Sequence, residues 1–330
     1  RLSLVGSEMC IRDSLNLVGD NSGFSGNVQI NQGTLTFNED STDIFFSSDT
    51  SVDINNSELV YHAKDGAKSL GSGSFSNLAL QNGGTFNYNA GAGETSIDGG
   101  FMQSDGTGNT LVFSGNQASS YILNTDFSTF NPGDTINFAN TVIKPGSTSH
   151  FKNNIVLDNT TLNLMDAVKN SYTFDNLTLN NAKLSLDVSL GETPSGDILN
   201  IVNGNGTINL TALSILEDNG MFPEGTNKKT VQVIKNTNGS VGLSVADPDD
   251  LTLAAWSTNV YEYDIKAGMT AGSSVYDAID FVGKQAADAN SLKKMNNYTA
   301  ALDRGFSIVD GASVYLSLIH ISEPTRLRRI

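Results

Sequence analysis

The chain is 330 residues long, carries 19 basic against 35 acidic residues for a net charge of −16, and is 38% hydrophobic. A chain this acidic is repelled by phosphate backbones, which argues against nucleic acid as a partner. Its single cysteine, Cys10, excludes a disulfide framework and a cysteine-held metal site, while the apolar share allows a continuous core.

The two ends mirror one another at the level of DNA. Ser7-Glu8-Met9-Cys10-Ile11-Arg12-Asp13-Ser14 can be written TCG GAG ATG TGT ATA AGA GAC AG. The reverse complement, displaced by one base, encodes Leu316-Ser317-Leu318-Ile319-His320-Ile321-Ser322 and the start of Glu323. The motif resembles the mosaic end of a transposase-based sequencing adapter, and Leu4-Val5-Gly6 and Pro324-Thr325-Arg326 continue it. Residues 1–14 and 316–330 are therefore expected to be adapter-derived scars around a metagenomic fragment, and are set aside for fold reasoning. Between them no cysteine remains, and 14 basic residues face 32 acidic ones, a net of −18. Arg304 is the sole arginine of that segment, and His62 and His150 its only histidines. No run of about 18 apolar residues occurs, so no helical membrane span is expected.

From residue 28 onward one pattern recurs: alternating apolar residues, a short Asn/Gln/Gly corner, then alternation again. It reads Val28-Gln29-Ile30, Asn31 to Thr34, Leu35-Thr36-Phe37. It returns as Val52-Asp53-Ile54 with Leu59-Val60-Tyr61, and as Leu78-Ala79-Leu80 with Phe86-Asn87-Tyr88. After a degenerate stretch around 95–150 come Ile155-Val156-Leu157 with Leu162-Asn163-Leu164, and Leu177-Thr178-Leu179 with Leu184-Ser185-Leu186. Period-two alternation makes each half a strand with one buried face. Asn-rich corners could close antiparallel hairpins, giving a sandwich or barrel. The repeat of roughly 22–26 residues instead matches one coil of a solenoid. The pattern predicts an all-β, right-handed parallel β-helix over residues 15–265, of roughly ten to twelve coils, with Asn at corners because it tolerates left-handed backbone angles.

Beyond the coils, Ser274 and Asp277 form a capping box, and Val275, Ile279, Val282, Ala286 and Ala289 recur at helical spacing. Asp303-Arg304-Gly305 supplies a stop. A C-terminal α-helical linker is expected within 266–315, from 275 to 304, with one helix or two left open by Gly283 and Asn296-Asn297.

Leu17-Val18-Gly19-Asp20-Asn21-Ser22-Gly23-Phe24-Ser25-Gly26-Asn27-Val28, running into Asn31-Gln32-Gly33-Thr34-Leu35, resembles the repeat of autotransporter passenger β-helices. A second segment is similar to the C-terminal part of pertactin-like passengers. It comprises Gly196-Asp197-Ile198-Leu199-Asn200-Ile201, Asn203-Gly204 and Gly206-Thr207-Ile208-Asn209-Leu210. Val231-Gln232-Val233-Ile234 and Tyr261-Glu262-Tyr263-Asp264-Ile265 follow in the order of that module. The resemblance implies type V secretion: an exported passenger, then a helical linker leading to an outer-membrane β-barrel, which would lie beyond residue 315.

A β-helix is also the scaffold of pectate lyases and polygalacturonases, so catalysis needs weighing. Such lyases use an arginine or lysine base, and the only arginine of the segment, Arg304, lies outside the coils. Asp247-Pro248-Asp249-Asp250 is the one tight acidic cluster in the sequence, and reads as a proline turn with solvated carboxylates before it reads as a cation site. Asp98-Gly99-Gly100 is isolated, unlike Ca²⁺-binding nonapeptide repeats. Gly71-Ser72-Gly73-Ser74 lacks the Asp of a Gly-Asp-Ser-Gly nucleophile loop, with His62 close by. His62 reads as a corner residue, His150 as a loop residue, and the two are too distant in sequence to suggest a metal site. Gly91-Ala92-Gly93 lacks the Lys-Ser/Thr of a phosphate loop. Phe37, Tyr61, Phe86 and Tyr88 fall at repeat positions and read as a core stack rather than a sugar platform. Trp256 reads as a cap on the last coil.

No catalytic, cofactor-binding or metal-binding residue is assigned, and no cofactor is expected. The sequence predicts a non-catalytic surface passenger, an adhesin or stalk, at the cell surface or outer membrane of a Gram-negative-type bacterium, or secreted. Expected partners are a glycan or protein on a host or neighbouring cell, and the chain's own outer-membrane barrel; nucleic acid is not expected. The alternatives are a polysaccharide-active β-helix enzyme (lyase or hydrolase) and a phage or surface-layer stalk.

Overall fold

The computed structural model describes residues 14–18, 26–38, 51–71, 77–98, 102–116, 118–146, 149–218, 227–247, 250–253 and 263–283. Both expected scars lie outside these residues, apart from Ser14.

Apolar residues spaced by two give strands with one buried side, and here the strands wind rather than fold back. Ten parallel strands form the first sheet in chain order: Ser14–Val18, Thr34–Asn38, Glu58–His62, Thr85–Asn89, Thr110–Ser114, Thr135–Ala139, His150–Asp158, Ser171–Asn180, Ile198–Asn205 and Ile234–Asn236. Between them the chain visits a second sheet, parallel along a path from Lys68–Leu70 to Gly242–Val245. Early in the chain it also visits a third, four-stranded parallel sheet of Asn27–Ile30, Ser51–Asn55, Asn77–Gln81 and Met102–Asp105. Parallel strands that alternate between sheets in sequence order can only be a solenoid. It makes about 7 turns, fewer than the ten to twelve expected from the repeat length. Turns are of uneven length: Leu199 pairs with Ile234, a step of 35 residues, against 24 from Leu35 to Leu59.

Constant register turns the alternation into columns. Leu35, Leu59, Phe86, Leu111, Ile136, Ile155 and Leu177 stack from strand to strand, and so do Phe37, Tyr61, Tyr88, Phe113, Phe138, Leu157 and Leu179. All of them are buried, as are Leu162 and Leu184 in the second sheet. Tyr61 and Tyr88 stack with ring centroids 5.5 Å apart, so the repeat aromatics line the core as expected.

The corners hold an unexpected change of plan. In the N-terminal copies the corner joins the third sheet to the first, with Asn56 and Asn82 at positive φ (46° and 51°). In the C-terminal copies it joins the first sheet to the second, with Asn140, Asn159 and Asn181 at φ 54°, 47° and 52°. The two repeat groups look alike in sequence yet occupy different corners of the coil. The intervening 95–150 stretch is where the third sheet ends. Past it the strands lengthen, as in His150–Asp158 and Ser171–Asn180, and a register shift between Phe151 and Asn154 bends the ladder.

The expected helix from 275 is not what its described part forms. Ala278–Gly283 is a strand, antiparallel to Lys228–Gln232 and flanked by Tyr263–Gly268. Ile279 and Phe281 point into the core on either side of Asp280. The same residues fit either period, and pairing with a free strand decides for period two. Asp277 does not cap a helix: its carboxylate accepts the Thr270 N–H at 2.7 Å and the Thr270 hydroxyl at 2.5 Å. Residues 284–304 lie outside the described residues. No helix long and apolar enough to cross a membrane occurs among the described residues.

The 263–283 segment also covers the last turn. The Asp277 carbonyl accepts N–H bonds from Val233 and Ile234 at 3.0 Å each, and the Tyr276 carbonyl accepts one from Leu243 at 2.7 Å. Strand edges that would be open are thereby satisfied by backbone.

Candidate functional site

The residues that sequence chemistry singled out are scattered. His62 ends the strand Glu58–His62, half-buried on the outer side. His150 is not a loop residue: it opens the strand His150–Asp158, exposed, with Nε2 2.8 Å from Asp175 Oδ1 on the next strand. A bond across the ladder to Asp175 draws it into the sheet. The two histidines sit on strands four steps apart in one sheet, or about 19 Å at the usual ~4.8 Å spacing, too far to share a ligand. Asp247 and Asp250 are exposed, and the Asp247 carbonyl accepts the Asp250 N–H at 2.8 Å, so these two carboxylates are solvated at a turn; Pro248 and Asp249 lie outside the described residues. Ser72, Ser74, Trp256 and Arg304 lie outside the described residues. Among the described residues no group of three or more His, Cys, Asp or Glu side chains is placed to hold a metal ion.

Two features invisible to the motif search stand out. The first is the outer face of the long sheet. Rows of small polar and β-branched side chains point outward from it, such as Thr85, Thr110 and Thr135, and beside them Asn87, Val112 and Asn137. On Thr85–Asn89, Thr110–Ser114 and Thr135–Ala139 no outward side chain is charged. In a chain this acidic, these three strands present an uncharged stretch of outer face.

The second is a buried acidic cluster at the C-terminal turns. Asp187 and Asp197 are 0% and 1% exposed. Asp187 Oδ2 accepts the N–H groups of Asp166 and Ala167, both at 2.8 Å. Asp197 Oδ1 accepts the Asn170 N–H at 2.7 Å and its Oδ2 the Asp187 N–H at 2.8 Å. Burial pushes the Asp197 carboxyl up to about 7, against the opposing pull of its N–H donors, with the negative neighbours Asp187 and Asp166 adding to the rise. The Tyr172 phenol, in the same pocket of charge, is pushed up to about 12, again chiefly by burial and then by Asp197 and Asp166. Asp197 belongs to the Gly-Asp-x-Leu segment that carries the family resemblance, but a single Asp in a polar chain gives no signal of burial. The break in alternation at Ala182–Leu190, where outward Ser185, Asp187 and Ser189 are all buried, appears only in three dimensions.

Comparisons with protein families, with characterised proteins and with solved structures gave no match. The fold itself is an all-β parallel β-solenoid.

Proposed function

We propose that this chain is a segment of a non-catalytic, surface-exposed passenger of the autotransporter type, right-handed in its winding, serving as an adhesin or stalk. The observation that carries the reading is the unbroken pair of apolar columns running through parallel turns, joined to the Gly-Phe-Ser-Gly-Asn and Gly-Asp-x-Leu segments of the sequence. Such a rod gains stability turn by turn, reach by turn number, and lateral surface for contact without disulfides. Its place would be the cell surface or outer membrane of a Gram-negative-type bacterium, or the medium. Its partners would be a glycan or protein of another cell and the chain's own barrel.

The same solenoid fits a polysaccharide-active enzyme, so the test sets the two against each other. Purified chain is incubated with acidic glycans, and separately with immobilised bacterial and host surfaces. Saturable binding without new reducing ends or unsaturated products supports the passenger. Turnover of a glycan, abolished by replacing an exposed acidic pair along one face, would overturn it.

A further inference from the structure

Asp187 and Asp197 present an electrostatic problem that their surroundings do not solve with a cation. From the 164–170 crossing come Asp166, exposed, and Lys169, whose Nζ donates to Ser195 Oγ at 3.0 Å. From Ser171–Asn180 comes Tyr172, and from Thr207–Asp218 the hydroxyl of Ser214, which sits opposite Asp187 in register. Glu217, on the same strand, accepts from Ser189 Oγ at 3.0 Å. From Lys228–Gln232 the side chain of Lys229 is directed to the Leu190 carbonyl and to Asp218, and Val231 packs beside Gly196. Two fully buried carboxylates without a facing cation cannot both stay ionised cheaply; a proton or a bound ion must neutralise part of the charge.

The hydrogen bonds show where the gap lies. Three of the four carboxylate oxygens accept backbone N–H groups, whereas Asp187 Oδ1 is buried and has no partner. Three of those N–H groups, on Asp166, Ala167 and Asn170, belong to the 164–170 crossing, where Ala167 is held at φ 66°. A non-glycine residue in that conformation costs about 1–2 kcal/mol and needs its surroundings to hold it. The fourth is the Asp187 N–H of the strand Ala182–Leu190, which with the Asp187 carbonyl holds Asp197, the residue at which the 191–197 excursion returns.

We propose that Asp187 and Asp197 form a proton-operated latch: one proton held by the pair keeps the 164–170 crossing and the 191–197 excursion docked on the solenoid, and its loss releases them. The latch is independent of the adhesive reading of the rod. With the Asp197 carboxyl raised to about 7 from its ordinary 3.8, the stabilisation is fully present below the ordinary value and is lost as pH rises through about 7.

The test uses the full 330-residue chain. Thermal unfolding is followed at a series of pH values from below 3.8 to above about 7. The melting temperature should fall by several degrees across that window and level off above it. Asp197→Asn removes the carboxyl that burial has raised and keeps one side-chain oxygen for the Asn170 and Asp187 N–H groups; its melting temperature should be flat over the same range. An unchanged pH dependence in Asp197→Asn, or a flat profile in the unsubstituted chain, overturns the latch. Infrared spectroscopy of the unsubstituted chain gives an answer that does not rely on the variant folding. A protonated-carboxyl C=O band should be present on the acid side and vanish through the transition, and its absence on the acid side overturns the proposal. Calcium ion is the probe for the rival neutraliser: if it alone restores the acid-side melting temperature at alkaline pH, the pair is a cation site and the proton latch is wrong.

Discussion

Asn159 Nδ2 donates to Asn140 Oδ1 at 2.8 Å, linking the same corner of two successive turns while both residues hold left-handed backbone angles. Asn181 extends the ladder by donating to Asn159 Oδ1 at 2.9 Å. At the next turn Gly206 takes the position at φ 104°, where an added Cβ would lie 2.8 Å from the Leu179 carbonyl. Asparagine therefore does two jobs here: it tolerates the angle and bridges the turns.

These jobs separate by substitution. Asn159→Gly loses the side-chain bonds but keeps an unstrained backbone; Asn159→Ala loses the bonds and also pays for the angle. Asn159→Ala should be less stable than Asn159→Gly by about 1 kcal/mol in chemical denaturation. An alanine variant at least as stable as the glycine one would show that the angle is not what selects asparagine.

Adjacent positions on one strand should respond unequally to truncation. Ile155 is 1% exposed in the core column, whereas Val156 is outward-facing and half-buried. Ile155→Ala should cost about 2–5 kcal/mol, and Val156→Ala only about 0.5 kcal/mol. Matching losses by urea titration would mean the strand's two faces are not distinguished by burial, and that the columns do not carry the fold.

The columns were legible because period two survives any change of corner: Leu59 and Leu162 are read as buried from their neighbours alone. Which corner follows was not legible, because Asn55-Asn56 and Asn159-Thr160 carry the same chemistry although they join different pairs of sheets. In the 275–283 segment Val275, Ile279 and Val282 satisfy helical spacing, while the partner that selects the strand Ala278–Gly283, Lys228–Gln232, lies far away in sequence. The Asp187–Asp197 pair leaves no sequence signal for a related reason. Its burial is created by chain segments folding over the outer side of a sheet, and alternation predicts that side to be wet.

Glycine tolerance should follow space rather than residue type. A Cβ on Gly84 would stand 2.3 Å from the Ile54 carbonyl of the neighbouring strand, so the solenoid must open for it. Gly133 lies in a turn with nothing within 4 Å of the same atom and no left-handed angle. Gly84→Ala should destabilise by about 1–3 kcal/mol through overpacking, while Gly133→Ala should be neutral or stabilise by about 0.4–1 kcal/mol by restricting the unfolded chain. Differential scanning calorimetry of the two variants reads both signs in one experiment.

The capping segment is tied to the solenoid by a buried ion pair, and its energetics should be non-additive. Lys229 is 1% exposed, with Nζ 3.0 Å from Asp218 Oδ1 and a second bond to the Leu190 carbonyl. Asp218 Oδ2 accepts the Tyr263 hydroxyl at 2.8 Å, so the pair also reaches the covering strand Tyr263–Gly268. Lys229→Met strands a buried carboxylate and should cost about 3–5 kcal/mol. Asp218→Asn alone strands the ammonium and should cost a similar amount. The double variant removes both charges and keeps an amide oxygen for the tyrosine, so it should be more stable than the sum of the single losses by about 1–3 kcal/mol. Strict additivity in that cycle would mean that Lys229 and Asp218 act separately, and that the cap is held by apolar packing of Ile279 and Phe281 instead.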